Sequence, residues 1–433
     1  MIRSNYLLLT GLIFFLTLSI EAQTIKGYTK EQLTEFSTKV EDQVRFLEYL
    51  LNTVGNRETS PRDKDVIIRE SYLKIFRDEK VQVEDDLLLD RKVVTNKDVT
   101  AYLKDIEFFY KNVEFKFKIR EVKPAQKDNG DVFFLASLDR TITATAISGE
   151  KITNTKPRFV EVNLDEKSQE LKIASVYTTK ISRDEELSTW WEALDASWQS
   201  YFRTRFELIE LDTANLEWFY RFVGIDSLDI SGNKEINTLA PLSELRDLKV
   251  VNISNTNITD LSPISNVTFL EHLNISNTPT SDIQFIKYSD RLKHLDISNT
   301  KITDISQLLN LKSLVSLKVE QAPIVSYAVL NEFINLIQLD LTESGFNNAE
   351  NIKDLNKLET LYLGRNYMIN FSALEGLSSL KILNLSQTNI QDLSPLKSLE
   401  KLEILDISGS QVADITPLED LPNLKKVSAD ETK

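Results

Sequence analysis

The chain contains no cysteine, so neither a disulfide nor a thiolate metal site is open to it in any compartment. Histidine is nearly as scarce, with His272 and His294 the only two. Positive charge is in deficit. Lys and Arg total 51 against 66 Asp and Glu, and the net charge of −15 excludes a nucleic-acid backbone and an anionic membrane surface as partners. Beyond the first 22 residues no apolar run approaches the roughly 18 residues a membrane span needs, so no membrane insertion is expected after export.

What is present suffices for real cores: 433 residues, 41% of them hydrophobic, enough for two or three domains. Residues 1–22 read as a secretory signal. Arg3 supplies the positive start, Leu7–Ile20 the apolar stretch and Ala22 a small residue for cleavage. The protein is therefore expected to be exported: secreted, periplasmic or at the cell surface. An uncleaved anchor is the alternative, although 14 apolar residues are short for a span. With no cysteine after the cleavage point, lipoprotein-type anchoring is excluded.

From Thr29 the pattern is helical. Thr29 and Gln32 form a capping box, and Leu33, Phe36, Val40, Val44, Leu47 and Leu51 make one apolar stripe ending near Gly55. Ser60-Pro61 opens a second helix carrying Val66, Ile67, Ile68, Tyr72, Ile75 and Phe76. A short strand at 81–83 precedes a third helix with Val99, Tyr102, Leu103, Ile106 and Tyr110 facing inward. Apolar residues then alternate in strands at 113–119, 132–147, 159–164 and 171–177. Helices followed by an antiparallel meander predict an α+β domain over 23–182. In element order it resembles the nuclear-transport-factor-two-like cone, which implies a curved sheet around a long helix and, often, a pocket.

A pocket would need an acid or base. Residues 23–205 hold neither His nor Cys, leaving Asp86, Glu107, Tyr110, Glu161 and Tyr177 as candidates by position. Isomerases of that fold use an Asp base with Tyr donors, but no spacing singles out such a set. The domain reads as non-catalytic, with solvated charges and core tyrosines; a ligand-binding or isomerase-like role is the alternative. The protein is expected not to be an enzyme and to need no cofactor.

Residues 183–224 hold all four tryptophans, Trp190, Trp191, Trp198 and Trp218, with Phe202, Phe206, Phe219 and Phe222. They read as an aromatic helical cap for the C-terminal half of the chain, a carbohydrate-stacking platform being the alternative.

From Leu248 a 22-residue unit recurs. Its leading leucine returns at Leu270, Leu292, Leu314, Leu336, Leu358, Leu380, Leu402 and Leu424, and a copy one residue longer begins at Ile225. Apolar residues hold positions 1, 4, 6, 11, 14 and 17, and proline holds position 16 at Pro241, Pro263, Pro395 and Pro417. Such a period marks a solenoid in which no coil buries its apolar side alone. The unit resembles the leucine-rich repeat, specifically the 22-residue class of the bacterial internalins. The resemblance implies an α/β solenoid over 225–433, with a parallel β-sheet on its concave face. Position 9, where the family favours an inward Asn, holds Asn only at Asn233 and Asn366; elsewhere it is Thr256, Thr278, Thr300, Ala322, Ser344, Thr388 and Ser410. After Leu424 the last coil is expected to be only partly covered. Neither a Leu-Pro-x-Thr-Gly anchor nor an immunoglobulin-like module follows, which departs from many internalins and puts cell-wall attachment in doubt.

Asn-x-Ser/Thr triplets such as Asn252-Ile-Ser254 arise from the repeat itself and are weak as glycosylation signals. His272 and His294 share position 3 of adjacent coils, with Asp296 nearby; two solvated imidazoles are expected rather than a metal site, which needs three or four convergent ligands.

The expected function is recognition of a macromolecule, a protein or a glycan, by a monomer using its concave face. A structural or adhesive role at the cell surface is a further alternative. Strand positions 5, 7 and 8, taken as outward-facing, are Asn, Asp and Ser in most coils, for example Asn252, Ser254 and Asn255. They change in mid-arc to Lys318, Glu320 and Gln321, then Asp340 and Glu343, then Tyr362 and Arg365, with Tyr367 beyond. These eight residues are the candidate partner-binding patch, and drift of imperfect repeats is the competing reading.

Overall fold

The computed structural model describes Ile25 and residues 27–87, 95–208 and 215–432. The expected signal segment lies outside the described residues. No helix among them is long and apolar enough to cross a membrane.

Helix α1 (Lys30–Gly55) opens with the expected capping box: Gln32 N–H donates to the Thr29 hydroxyl at 3.2 Å, and Thr29 N–H donates to the Gln32 carboxamide at 2.9 Å. Its stripe from Phe36 to Leu51 is buried. At its end Gly55 meets a strand so closely that a Cβ would lie 2.7 Å from the Val113 carbonyl oxygen, so no larger residue fits. Helix α2 (Pro61–Arg69) is capped by Ser60 but stops early. Tyr72 sits in a 3-10 turn (Ser71–Lys74), with Ile75 and Phe76 beyond it, so the second helix is shorter than its apolar residues suggested. Helix α3 (Val99–Phe109) likewise ends before Tyr110, which opens a strand.

Strands β1 (Gln82–Glu84), β2 (Asn96–Asp98), β3 (Tyr110–Gln126), β4 (Val132–Ala146), β5 (Lys151–Leu164) and β6 (Leu171–Tyr177) form one sheet in the order β2-β1-β6-β5-β4-β3. The meander β3 to β6 is antiparallel, while β1 joins β6 in parallel. Side chains alternate in burial along β4, and the buried row (Phe134, Ala136, Leu138) shares one core with α1.

Helices α4 (Arg183–Ala193), α5 (Ala196–Arg205) and α6 (Leu216–Val223) follow. Trp190, Trp191, Trp198, Phe202, Phe219 and Phe222 are buried in the same core as Leu228 and Leu239 of the first coil. Trp198 is fully enclosed and donates its indole N–H to the Thr238 carbonyl at 2.9 Å.

The chain then winds into a leucine-rich-repeat solenoid. Ten short parallel strands stack in sequence order: β7 (Ser227–Asp229), β8 (Val250–Asn252), β9 (His272–Asn274), β10 (His294–Asp296), β11 (Ser316–Lys318), β12 (Gln338–Asp340), β13 (Thr360–Tyr362), β14 (Ile382–Asn384), β15 (Ile404–Asp406) and β16 (Lys426–Ser428). From β8 onward each residue pairs with the one 22 further on, for example Leu295 with Leu317, so the leucines stack into one continuous core. The backs of the coils are 3-10 turns such as Ser262–Asn266, Gln284–Ile286 and Ser306–Asn310.

Position 9 shows why threonine can replace asparagine. Thr256, Thr278, Thr300 and Thr388 each donate at 2.7 Å to the carbonyl three residues earlier in their own coil. Asn366 does more. Its amide donates to Leu341 (2.7 Å) in the preceding coil as well as to Leu363 (2.9 Å), and its oxygen accepts from Gly345 N–H at 3.0 Å.

The α+β domain is docked on the back of the solenoid, leaving the sheet face uncovered. Phe108 packs edge-on to Phe285 with centroids 5.3 Å apart. The Tyr288 hydroxyl bonds Asp65 at 2.9 Å and also Glu107. Lys287 pairs with both carboxylates at 3.2 Å, and Asn310 donates to Asp65 at 2.8 Å. Further along, Arg246 donates to Gln82 and to the Asn96 carbonyl (3.0 Å).

Candidate functional site

The sheet face is built from position 5 of each coil, and the structure gives that column a local task. The side chains of Asn252, Asn274, Asp296, Asp340, Asn384 and Asp406 each accept the N–H two residues on, at 2.9 to 3.1 Å. These Asx bonds turn the chain out of the strand. The recurrent Asn and Asp are thus turn residues first and surface second. Among the described residues three coils lack the device, where position 5 is Lys318, Tyr362 and, in the last coil, Ser428.

Position 8 is not a strand position, contrary to expectation. Asn255, Asn277, Asn299, Gln321, Glu343, Arg365 and Gln387 all have φ between +51° and +57°, the left-handed region, with Gly409 there as well. Asparagine tolerates that conformation; for Gln, Glu and Arg it costs about 1 kcal/mol. Gln321, Glu343 and Arg365 therefore occupy a turn rim beside the sheet, at positions where the backbone would favour Asn or Gly.

The structure brings these three together. Gln321 Nε2 donates to Glu343 Oε2 at 2.9 Å, and Arg365 Nη1 lies 3.2 Å from the same oxygen. Those two bonds hold the Glu343 carboxyl below the usual carboxylate range. Next to them Glu320 is pushed up, by partial burial first and then by Asp340, Asp296 and Glu343. Lys318, Asp340 and Tyr362 are half-buried neighbours on the sheet, paired in register through β11, β12 and β13. Tyr367 projects from the rim, 78% exposed. All eight expected residues thus fall on three adjacent coils, split between sheet and rim.

Two residues missed from sequence extend the rim. Ile369 is 75% exposed beside Tyr367, and Val325 is 83% exposed at the same repeat position two coils earlier. Both stand at position 12, where Thr259, Thr303 and Asn347 of other coils are polar. That contrast was the available signal.

On β9 and β10, the strands next to the patch, His272 and His294 stack face to face, centroids 4.3 Å apart and planes within 7°. His294 is pushed down by partial burial, then by His272 and Lys293. Among the described residues no three His, Cys, Asp or Glu side chains are grouped to hold a metal ion.

The acid and base candidates of the α+β domain are scattered. Asp86 is buried between Arg140 and Arg158 and accepts from the Tyr102 hydroxyl at 2.9 Å. Glu107 lies in the domain interface, bonded to Tyr288. Tyr110 donates to the Leu87 carbonyl. Glu161 pairs with Lys127 (3.1 Å) and Lys180 (3.2 Å), and Tyr177 stacks on Phe159. Asp86 alone of the five lines the internal cavity between α1 and the sheet, whose volume of about 20 Å³ accommodates about one water.

A family model for leucine-rich repeats (two copies) matches residues 246–288 and 378–423, on either side of the patch. Among solved structures, an internalin, inlF, of Listeria monocytogenes is 26% identical with a TM-score of 0.51, covering 55% of this chain and 70% of its own. Internalin C2 of the same organism is 25% identical with a TM-score of 0.41, covering 43% and 83%. A leucine-rich-repeat protein of Leptospira interrogans is 22% identical with a TM-score of 0.46, covering 50% and 57%. No curated protein matches the sequence.

Proposed function

We propose that this is an exported binding protein that recognises a protein partner through the mid-arc patch of its leucine-rich repeats. One observation carries the reading. The coils from Leu314 to Leu377 abandon turn-forming residues at Lys318, Tyr362, Gln321, Glu343 and Arg365, and expose Tyr367 and Ile369 in the same place. Outside these coils position 8 departs from Asn or Gly only at Gln387 and Glu431, and Tyr and Arg are the types that most often dominate binding energy. The uncovered sheet face supports the same reading, since a rigid preformed surface loses little freedom on binding.

Export rests on the first 22 residues, and action as a monomer on the chain's supply of its own aromatic cap at 183–224. The sheet wrapped on α1 supports the cone resemblance of the first domain, but a cavity with room for about one water favours a docking role for it over ligand turnover. Alanine at Tyr362 and Arg365, followed by partner capture, tests the reading.

A further inference from the structure

The interface between the α+β domain and the solenoid contains a crevice of about 220 Å³ lined by Tyr72, Thr100, Lys104, Thr268, Arg69 and Arg291, among others. Two of its three cations are committed. Arg69 pairs with Asp290, and Arg291 pairs with Glu79 at 3.1 Å. Lys104 is only 5% exposed and makes no ion pair among the described residues; its one bond is a 3.5 Å contact to the Ser265 carbonyl. The hydroxyls of Thr100, itself 5% exposed, and of Thr268 are buried without a hydrogen-bond partner. A buried ammonium and two buried hydroxyls left unmatched are each costly, and here all three line one space.

We infer that this crevice is a binding site for a small tetrahedral oxyanion, a phosphate or the phosphoryl head of a larger molecule. Such a group is acceptor-only on several oxygens, which suits donors converging from different directions: Lys104 and Thr100 from α3, Thr268 from the solenoid and Tyr72 from the 3-10 turn. Among the lining residues alone, one net positive charge remains once Glu79 and Asp290 are set against Arg69, Arg291 and Lys104, while Asp98 and Asp105 face Lys104 from outside the lining. Burial, and then the nearby Arg69, push Lys104 down to about 8 against the pull of Asp105, Asp98 and Glu79. Because the donors come from both sides of the interface, the anion would fasten the α+β domain to the second coil, which carries Thr268. The site is independent of the partner patch on the opposite face.

The test uses the full mature chain, with inorganic phosphate and glycerol 3-phosphate as probes and sodium chloride of equal ionic strength as reference. Thermal unfolding and titration calorimetry are read for wild type, Lys104→Met and Thr268→Val. Phosphate is expected to raise the wild-type melting temperature saturably above chloride. Lys104→Met should lose the response and Thr268→Val should weaken binding roughly tenfold. Lys104→Met removes a buried charge and keeps its volume, so it should fold; Thr268→Val covers the case where it does not. Response to phosphate alone assigns the free ion, and response to both probes assigns a phosphoryl head. No response above chloride in wild type, or equal responses in wild type and Lys104→Met, would overturn the site and leave a crevice filled by water only.

Discussion

Arg365 reaches one coil back to place Nη1 3.2 Å from Oε2 of Glu343, and both residues hold left-handed backbone. The pair is exposed and screened by solvent, so it contributes little to stability, while left-handed backbone is costly for Arg. Stability therefore does not account for arginine there. We predict that Arg365→Asn changes unfolding free energy by no more than about 0.5 kcal/mol in a urea titration while weakening partner capture. A loss of stability of about 2 kcal/mol or more would mean that Arg365 is structural.

Asn366, one residue on, should behave in the opposite way. From position 9 it is seen to bond backbone of the preceding coil, and its removal takes the acceptor from the Gly345 N–H and one of the donors from the buried Leu341 carbonyl, which Ser344 also reaches. Asn366→Ala is expected to cost about 2–4 kcal/mol, and Thr300→Val, which breaks one bond within its own coil, about 1 kcal/mol. Equal losses from the two in chemical denaturation would contradict the cross-coil role.

This contrast marks how far the sequence could be read. The 22-residue period set the strands and the buried leucines coil by coil, because each repeat must present the same face to its neighbour. It could not separate strand from turn at position 8, since an Asn exposed on a strand and an Asn in left-handed backbone look alike; Gly409 in that column was the clue. Nor did it reveal the docked interface. Tyr288 stands in a column otherwise held by Asn266, Asn310, Glu332, Asp354, Gly376, Ser398 and Asp420, an aromatic on a polar back. Its carboxylate partners Asp65 and Glu107 lie about two hundred residues earlier and have no local signature. The mid-arc change of residue type was legible, while the exposed apolar Val325 and Ile369 beside it carried only the weaker signal of an apolar residue at position 12.

Trp198 offers a check on the first coil's cover. It is fully enclosed and bonded to Thr238, so Trp198→Ala should cost about 3–5 kcal/mol and lower the melting temperature of the whole solenoid. Trp218, only partly buried at the edge of the same cluster, should cost much less. If both substitutions were equally mild, the aromatic helices would be no cap.

Lys104 makes stability depend on pH in an unusual direction. It is faced by Arg69, Tyr72, Glu79, Asp98, Asp105, Tyr288, Asp290 and Arg291. Burial, and then Arg69, bring it to about 8 against the pull of Asp105, Asp98 and Glu79. In the unfolded chain it titrates near 10.5. Between those values the unfolded state holds a proton that the folded state lacks, so this group's penalty is full below about pH 8 and fades as pH rises toward 10.5. In chloride buffer Lys104→Met should be more stable than wild type at about pH 7, by on the order of 2 kcal/mol, and the advantage should shrink by about pH 10. A variant less stable than wild type near neutral pH would show that the ammonium is well satisfied.

The most direct test of the binding patch compares two double variants of the immobilised mature protein, Tyr362→Ala with Arg365→Ala, and Asn252→Ala with Asn274→Ala. Captured partner is measured after correction for the folded fraction. The first pair should lose about thirtyfold or more in affinity, as hot-spot residues do. The second pair, whose side chains cap the chain turning out of its strands, should lose stability and keep partner affinity. Wild-type capture by the first pair together with failure of the second would place recognition elsewhere on the sheet and contradict the account.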